Sequence, residues 1–208
     1  DAGPARLEEA RRKGEGFVKD AKHFGTAALD RLYRGQVEVG PGLLFLDFDD
    51  VLTTSRPYGG FELFDTTSRP ADLLEKLWHP PSKAALLRIM DEHSPRVVIT
   101  TSWLRLLERA GFEELFAKTG LDAVAASLHE HWEAPTFVGK SRHDAIVRWL
   151  LAHHAGEPVV VLDDATSGTG LRGSKLDKLG RVVWCKAGVG LNEGHLHQVR
   201  EALAGGAS

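Results

Sequence analysis

A chain of 208 residues with 42% apolar and 26% charged side chains can bury a core the size of one full domain plus an appendage, which excludes a wholly disordered chain and a small stapled scaffold. Its 26 basic and 29 acidic residues are spread along the sequence to a net charge of −3, so no global field draws nucleic acid or an anionic membrane, and only a local basic groove stays open. The single cysteine, Cys185, excludes an internal disulfide and a multi-cysteine zinc site; flanked by Val182-Val183-Trp184, it reads as a buried strand residue. No apolar stretch approaches the roughly 20 residues of a membrane helix and no apolar signal region opens the chain, so no membrane association and a cytoplasmic location are expected. Because Asp1 stands where a methionine would, the expectation is also a trimmed piece of something longer.

From Pro4 to about Arg34 a charged background carries Leu7, Ala10, Phe17, Val18, Ala21 and Leu29, interrupted by Gly14, Gly16 and Gly25. This suits two short amphipathic helices leaning on the main domain, or a tether, and divides the chain into an N-terminal helical extension over 1–38 and a main domain over 39–208. Pro41-Gly42 then introduces Leu43-Leu44-Phe45-Leu46, an apolar run of the kind found in a strand buried on both faces. A helix is expected over Ser82–His93, a strand at Val97-Val98-Ile99, a helix over Trp103–Thr119 and a further strand within Asp122–Leu128. Next come a helix over Ser141–His154, a strand at Val159-Val160-Val161-Leu162, another at Val182-Val183-Trp184 and a last helix over Glu193–Leu203. Short buried strands alternating with helices imply an α/β fold with a mostly parallel sheet covered on both faces.

In such sheets ligands bind beyond the carboxyl ends of the strands, so the residues that terminate the apolar runs carry the chemistry. The first run ends in Asp47-Phe48-Asp49-Asp50, the second in Thr100-Thr101-Ser102 and the third in Asp163-Asp164, with Lys140 beside the start of the helix over Ser141–His154. An i, i+2 pair in extended chain places Asp47 and Asp49 on one side. Several carboxylates gathered in a partly buried site repel one another unless a divalent cation neutralises them, and oxygen-only ligands suit magnesium.

Asp47-Phe48-Asp49-Asp50-Val51-Leu52 after an apolar strand resembles the first motif of haloacid-dehalogenase-like (HAD-like) phosphatases. Thr101 resembles the family's second-motif hydroxyl, Lys140 its third-motif base and Asp163-Asp164 its acidic fourth motif, in the family's order over about residues 43–203. Asp50 stands where the family often has glycine. The resemblance implies a Rossmannoid parallel sheet with helices on both faces, and attack by Asp47 on phosphorus to give an aspartyl-phosphate. Asp49 would protonate the leaving oxygen and then activate water, while Thr101 and Lys140 would stabilise the transferring group. It further implies Mg²⁺ held by the Asp47 carboxylate, the Asp49 backbone carbonyl and Asp163 or Asp164, with no covalent cofactor. The second aspartate, Asp49, favours phosphate over carbon–halogen chemistry within the family.

Specificity in this family comes from cap insertions. Only one helix fits between Lys140 and Asp163, and the Gly/Thr/Pro-rich segment Thr53–Pro81 reads as a β-flap with a short helix at Ala71–Leu77, so a minimal cap or none is expected, with Asp47 in an open cleft. By analogy an uncapped site goes with large phosphorylated substrates, nucleic-acid ends or phosphoproteins. Thr101-Ser102-Trp103, the compact Asp163-Asp164 motif and the late Gly190-Leu191 also resemble HAD domains associated with bacterial RNA-repair proteins, and Ser102 and Trp103 follow motif two closely enough to line a substrate pocket.

Three other functions are open to the same residues. Ala134-Pro135-Thr136-Phe137-Val138-Gly139-Lys140-Ser141 fits a relaxed P-loop, but a single glycine beside proline and phenylalanine does not make a phosphate cradle. A phosphatase of phosphoproteins or small metabolites would use the same motifs, and a catalytically inactive binding domain would normally have lost one of the aspartates. His129, His131 and His153-His154 are read as solvated or helix-end residues in preference to a zinc site.

Overall fold

The computed structural model describes residues 25–204. Five parallel strands form one sheet in the order β3-β2-β1-β4-β5. They are β1 (Leu43–Leu46), β2 (Arg96–Ile99), β3 (Leu128–Glu133), β4 (Val159–Asp164) and β5 (Val182–Cys185). The central strand β1 is buried at every residue, and its alternation divides the core: Leu44 and Leu46 point to one face, Leu43 and Phe45 to the other.

The first face is covered by α4 (Pro80–His93), α5 (Arg109–Lys118), α6 (Asp122–Ala126) and α9 (Leu196–Leu203), which bury Leu86, Ile89, Phe112, Phe116, Val124 and Val199 there. The second face is covered by α1 (25–33), α7 (Arg142–His153) and the single turn α8 (Lys175–Lys178), through Leu29, Leu32, Ile146, Trp149, Leu150 and Leu176. Part of the expected N-terminal extension is therefore a helix packed on the same core as the sheet, while its residues 1–24 lie outside the described residues. No helix among the described residues is long and apolar enough to cross a membrane.

Four of the expected strands stand where the apolar runs placed them, but the expectation of a strand within Asp122–Leu128 is corrected. Asp122–Ala126 is α6, whose alanines favour helix, and the strand begins at Leu128. The expected helix over Trp103–Thr119 is broken into a 3₁₀ turn at Ser102–Arg105 and α5. The short helix expected at Ala71–Leu77 stands as α3 (Leu73–Lys76), but the β-flap around it is corrected: Thr53–Pro81 also carries α2 (Gly60–Phe64), and its backbone makes a bridge only from Thr53 to Asp49.

Candidate active site

Register brings the site together. Leu46 of β1 lies opposite Ile99 of β2 and Leu162 of β4, so the next residues along, Asp47, Thr100 and Asp163, reach one level at the carboxyl edge of the sheet. The Asp47 N–H donates to Leu162 O at 3.1 Å and the Thr100 N–H to Leu46 O at 3.0 Å, which extends the ladder one step beyond the apolar runs. Between the two aspartates Phe48 points the other way, into an aromatic box of Trp78, Trp103, Phe112 and Phe116 with ring centroids 5.1–5.9 Å away.

After Phe48 the chain turns sharply, its carbonyl accepting from the N–H groups of Val51, Leu52 and Thr53. Asp50 takes up the turn at φ 55°, the left-handed region that explains glycine at this position in relatives of the motif, and its carboxylate accepts from the Gly188 N–H at 2.7 Å. Gly190 closes the same corner with φ +70°. A Cβ there would stand 2.9 Å from Val51 O, the carbonyl that accepts the Leu191 N–H at 2.8 Å.

Asp47, Asp163 and Asp164 are at most 1% exposed, and each offers a carboxylate oxygen lying within 4.8 Å of the others. The cation among them is Arg142, itself 5% exposed, with Nη2 3.2 Å from Asp47 Oδ1 and Nε 3.2 Å from Asp163 Oδ2. Arg142 opens α7, whose start is capped by Ser141 and tied to the loop after β4: the Arg142 N–H donates to Thr169 Oγ1 at 3.0 Å and the His143 N–H to Thr169 O at 3.1 Å. Lys140 lies two residues earlier, exposed, and is not the residue that meets the carboxylates. Arg142 was legible after all, because it leads the buried stripe Arg142, Ala145, Ile146, Trp149 and Leu150 at helical spacing.

Asp49 stands apart from this group. Its Oδ2 accepts from the Trp103 indole N–H at 3.1 Å, so Trp103, 3% exposed, holds a carboxylate more than it offers a stacking face. Thr101 is buried and its Oγ1 accepts from the Trp103 N–H at 3.4 Å, while Ser102 is exposed. The expected open cleft exists on the Asp49 side only: Asp49 lines a cavity, whereas both carboxylate oxygens of Asp47 are closed off from the surface.

Burial sets the electrostatics. It raises the Asp47 carboxyl above its ordinary range, opposed first by the Arg142 charge and then by the Phe48 N–H. Burial, and then the charge of Asp47, lifts Asp49 to about 6 against the pull of the Trp103 N–H. The same two causes push Asp163 to about 8 in spite of Arg142, and the Cys185 thiol, buried beneath the cluster, is pushed up to about 12. Both oxygens of Asp47 and Oδ2 of Asp163 are buried without a well-formed hydrogen bond. Three converging carboxylates with unused lone pairs and only oxygen donors fit a hard divalent ion. Asp164 is more fully occupied, accepting from the N–H groups of Thr166 at 2.6 Å and Ser167 at 3.2 Å. His131 and His153 stack with 3.8 Å between ring centroids, and His129 lies tilted against His131 at 5.7 Å.

A five-stranded parallel sheet with this carboxylate edge defines an HAD-like Rossmannoid core. The family model of the HAD domain in Swiss Army Knife RNA repair proteins matches residues 43–196, and the chain belongs to that family. No curated protein and no solved structure matches the chain. The P-loop alternative gives way to this family match, which covers Ala134–Ser141 as part of an HAD domain.

Proposed function

We propose that this domain is a magnesium-dependent phosphohydrolase that removes a terminal phosphoryl group from a nucleic-acid end through an aspartyl-phosphate on Asp47. One observation carries the reading: the carboxylates are divided between two environments. Asp47 sits with Asp163, Asp164 and Arg142, whereas Asp49 is held apart by Trp103 with its pKa near 6. Asp47 faces the Arg142 cation, which favours its ionised form against burial, whereas Asp49 faces none and keeps its proton more readily, as a nucleophile and an acid require.

In the first step an Asp47 carboxylate oxygen attacks phosphorus in line, the bond to the ester oxygen breaks, and protonated Asp49 gives its proton to the departing alkoxide. In the second, Asp49, now ionised, takes a proton from water as the water oxygen bonds to phosphorus. The bond between phosphorus and Asp47 breaks in the same step, releasing inorganic phosphate and restoring the Asp47 carboxylate and the protonated Asp49. Arg142 stabilises negative charge beside Asp47 throughout, in the role that the family resemblance gave to Lys140, and Thr101 supplies a hydroxyl at the same edge. Mg²⁺, when bound by Asp47 with Asp163 and Asp164, would draw charge from the phosphoryl oxygens. The nucleic-acid end is supported by the family's place in RNA repair proteins.

The test is turnover of oligonucleotides phosphorylated at either end, with and without chelator, by the parent and by Asp47→Asn. Release of phosphate should require Mg²⁺ and vanish in the variant while its melting transition is retained. Comparable turnover by a folded Asp47→Asn protein would refute the mechanism.

A further inference from the structure

The cavity onto which Asp49 opens is not used by the chemistry above. It holds about 570 Å³, inside the range of roughly 300–1,000 Å³ typical of small-ligand pockets, and Phe61, Phe64, Asp65, Ser102 and Leu106 are among the residues that line it. Its walls are apolar in an unusual way: Phe61 is 81% and Leu106 61% exposed, while Phe64 packs edge-on against Trp103 at 5.4 Å. Large apolar side chains gathered at the mouth of a pocket mark a surface that binds something.

A second cavity, about 230 Å³, shares Ser102 with the first and is lined by Thr101, Ser167, Arg105 and Arg142 beside Leu104 and Pro135, so it carries the basic side chains that the first lacks. The two cavities sort the halves of a phosphate monoester. The anionic phosphoryl group belongs with the hydroxyls and arginines. The alcohol, whose oxygen Asp49 protonates, must extend along the side that Asp49 lines, towards Phe61, Phe64 and Leu106.

We propose that the apolar cavity is the subsite for the nucleobase of the nucleotide that carries the scissile phosphate, with Phe61 as its stacking face. This rests on the phosphohydrolase reading of Asp47 and Asp49 and names the part of the substrate that gives selectivity. A base fits the lining better than its rivals do. A sugar would leave Phe61 and Leu106 in water, an aliphatic alcohol would cover them but offers neither a flat face nor an N–H donor, and an acidic phosphopeptide side chain would meet Asp65 beside Asp49. A base brings a flat face for Phe61 and ring or amino N–H groups for the Asp65 carboxylate. Stacking accepts every base, as an enzyme acting on ends of any sequence requires.

The test compares a short RNA carrying a terminal phosphate with the same RNA whose terminal nucleotide is abasic, on the parent, Phe61→Ala and Phe61→Trp. The parent should prefer the base-bearing end by about tenfold in kcat/KM, the ratio should fall towards one in Phe61→Ala, and Phe61→Trp should keep it. The same comparison by fluorescence anisotropy, made in the Asp47→Asn background so that no turnover intervenes, should show Phe61→Ala weakening the base-bearing RNA by about tenfold. Because Phe61 is exposed, the substitutions put little of the fold at risk. An unchanged ratio in Phe61→Ala, or a tyrosyl phosphopeptide turned over with higher kcat/KM than RNA, would overturn the proposal. If no phosphate ester at all were hydrolysed, the phosphohydrolase reading would fall, and base-dependent binding lost in Phe61→Ala would still support the subsite, while binding indifferent to the base would overturn it.

Discussion

Arg142→Met removes the guanidinium between Asp47 and Asp163 and keeps side-chain volume at a site only 5% exposed. Breaking one partner out of a buried ion pair usually costs about 3–5 kcal/mol, because the remaining charge is left without compensation. The lower end applies here, because burial and the charge of Asp47 raise the Asp163 carboxyl and so favour its neutral form, which reduces the charge that Arg142 offsets. For a domain of this size about 3 kcal/mol corresponds to a fall of roughly 6–12 °C in Tm, measured in chelator so that no stray ion takes the place of the guanidinium. The sign of its pH dependence follows from linkage. Both carboxyls have folded pKa values raised above their unfolded ones, and without Arg142 they rise further. The unfolded chain is common to both proteins, so the penalty is smallest in acid, where both carboxyls are protonated in either native state, and grows as pH rises through their folded values, beyond about 8 for Asp163. A Tm within about 2 °C of the parent at pH 7, with the same pH profile, would refute the view that Arg142 holds this pair together.

Gly60→Ala should slow turnover more than it destabilises the fold, since a Cβ there would meet the Trp103 indole nitrogen at 2.7 Å and press it off Asp49; kcat and Tm measured side by side decide this. Asp50→Gly should be close to neutral in a urea melt and Asp50→Ala destabilising by about 1 kcal/mol, because only the alanine suffers at φ 55° without the bond to Gly188. Burial, and then the neighbouring charges of His131 and His129, hold His153 at about 4, so it favours the native state above its unfolded value near 6.5 and that contribution is lost as pH falls towards 4. His153→Gln should accordingly flatten the acid limb of Tm against pH relative to the parent, and an unaltered slope would count against the depressed imidazole.

What could be read from the sequence follows from where burial leaves a mark. Strands β1, β2, β4 and β5 are buried runs of Leu, Val and Ile, and the acids and threonines that end them are conspicuous because they interrupt apolar chain. The edge strand β3 is different. Its sequence, Leu-His-Glu-His-Trp-Glu, is largely exposed and leaves no apolar run, so a neighbouring alanine-rich segment was the more visible candidate. Lys140 stood out for its charge beside a helix start, whereas Arg142 shows itself only when the buried register of α7 is carried back to its first residue. The bond from Trp103 to Asp49 joins residues 54 apart, and no local pattern announces it. In the stretch Thr53–Pro81 the short helix α3 was legible at Ala71–Leu77, whereas α2 lies among glycine, threonine and proline where neither the helical nor the strand period is sustained.

The same register argument explains how the site can be accurate while its carboxylates repel one another. Adjacent residues on an extended strand face opposite ways, so a slip of β1 by one position would exchange Asp47 with Phe48. The carboxylate would then enter the box of Trp78, Trp103, Phe112 and Phe116, where no cation faces it, and the phenyl ring would sit against Arg142, Asp163 and Asp164. Both exchanges are costly, the first because an unpaired charge is buried, the second because Arg142 loses its partner. The aromatic box beneath and the charged cluster above thus select one register from opposite faces of the strand. Electrostatic strain among Asp47, Asp163 and Asp164 can be carried at the sheet edge because the packing of Phe48, which lies between Asp47 and Asp49 but faces the apolar side, does not depend on relieving it.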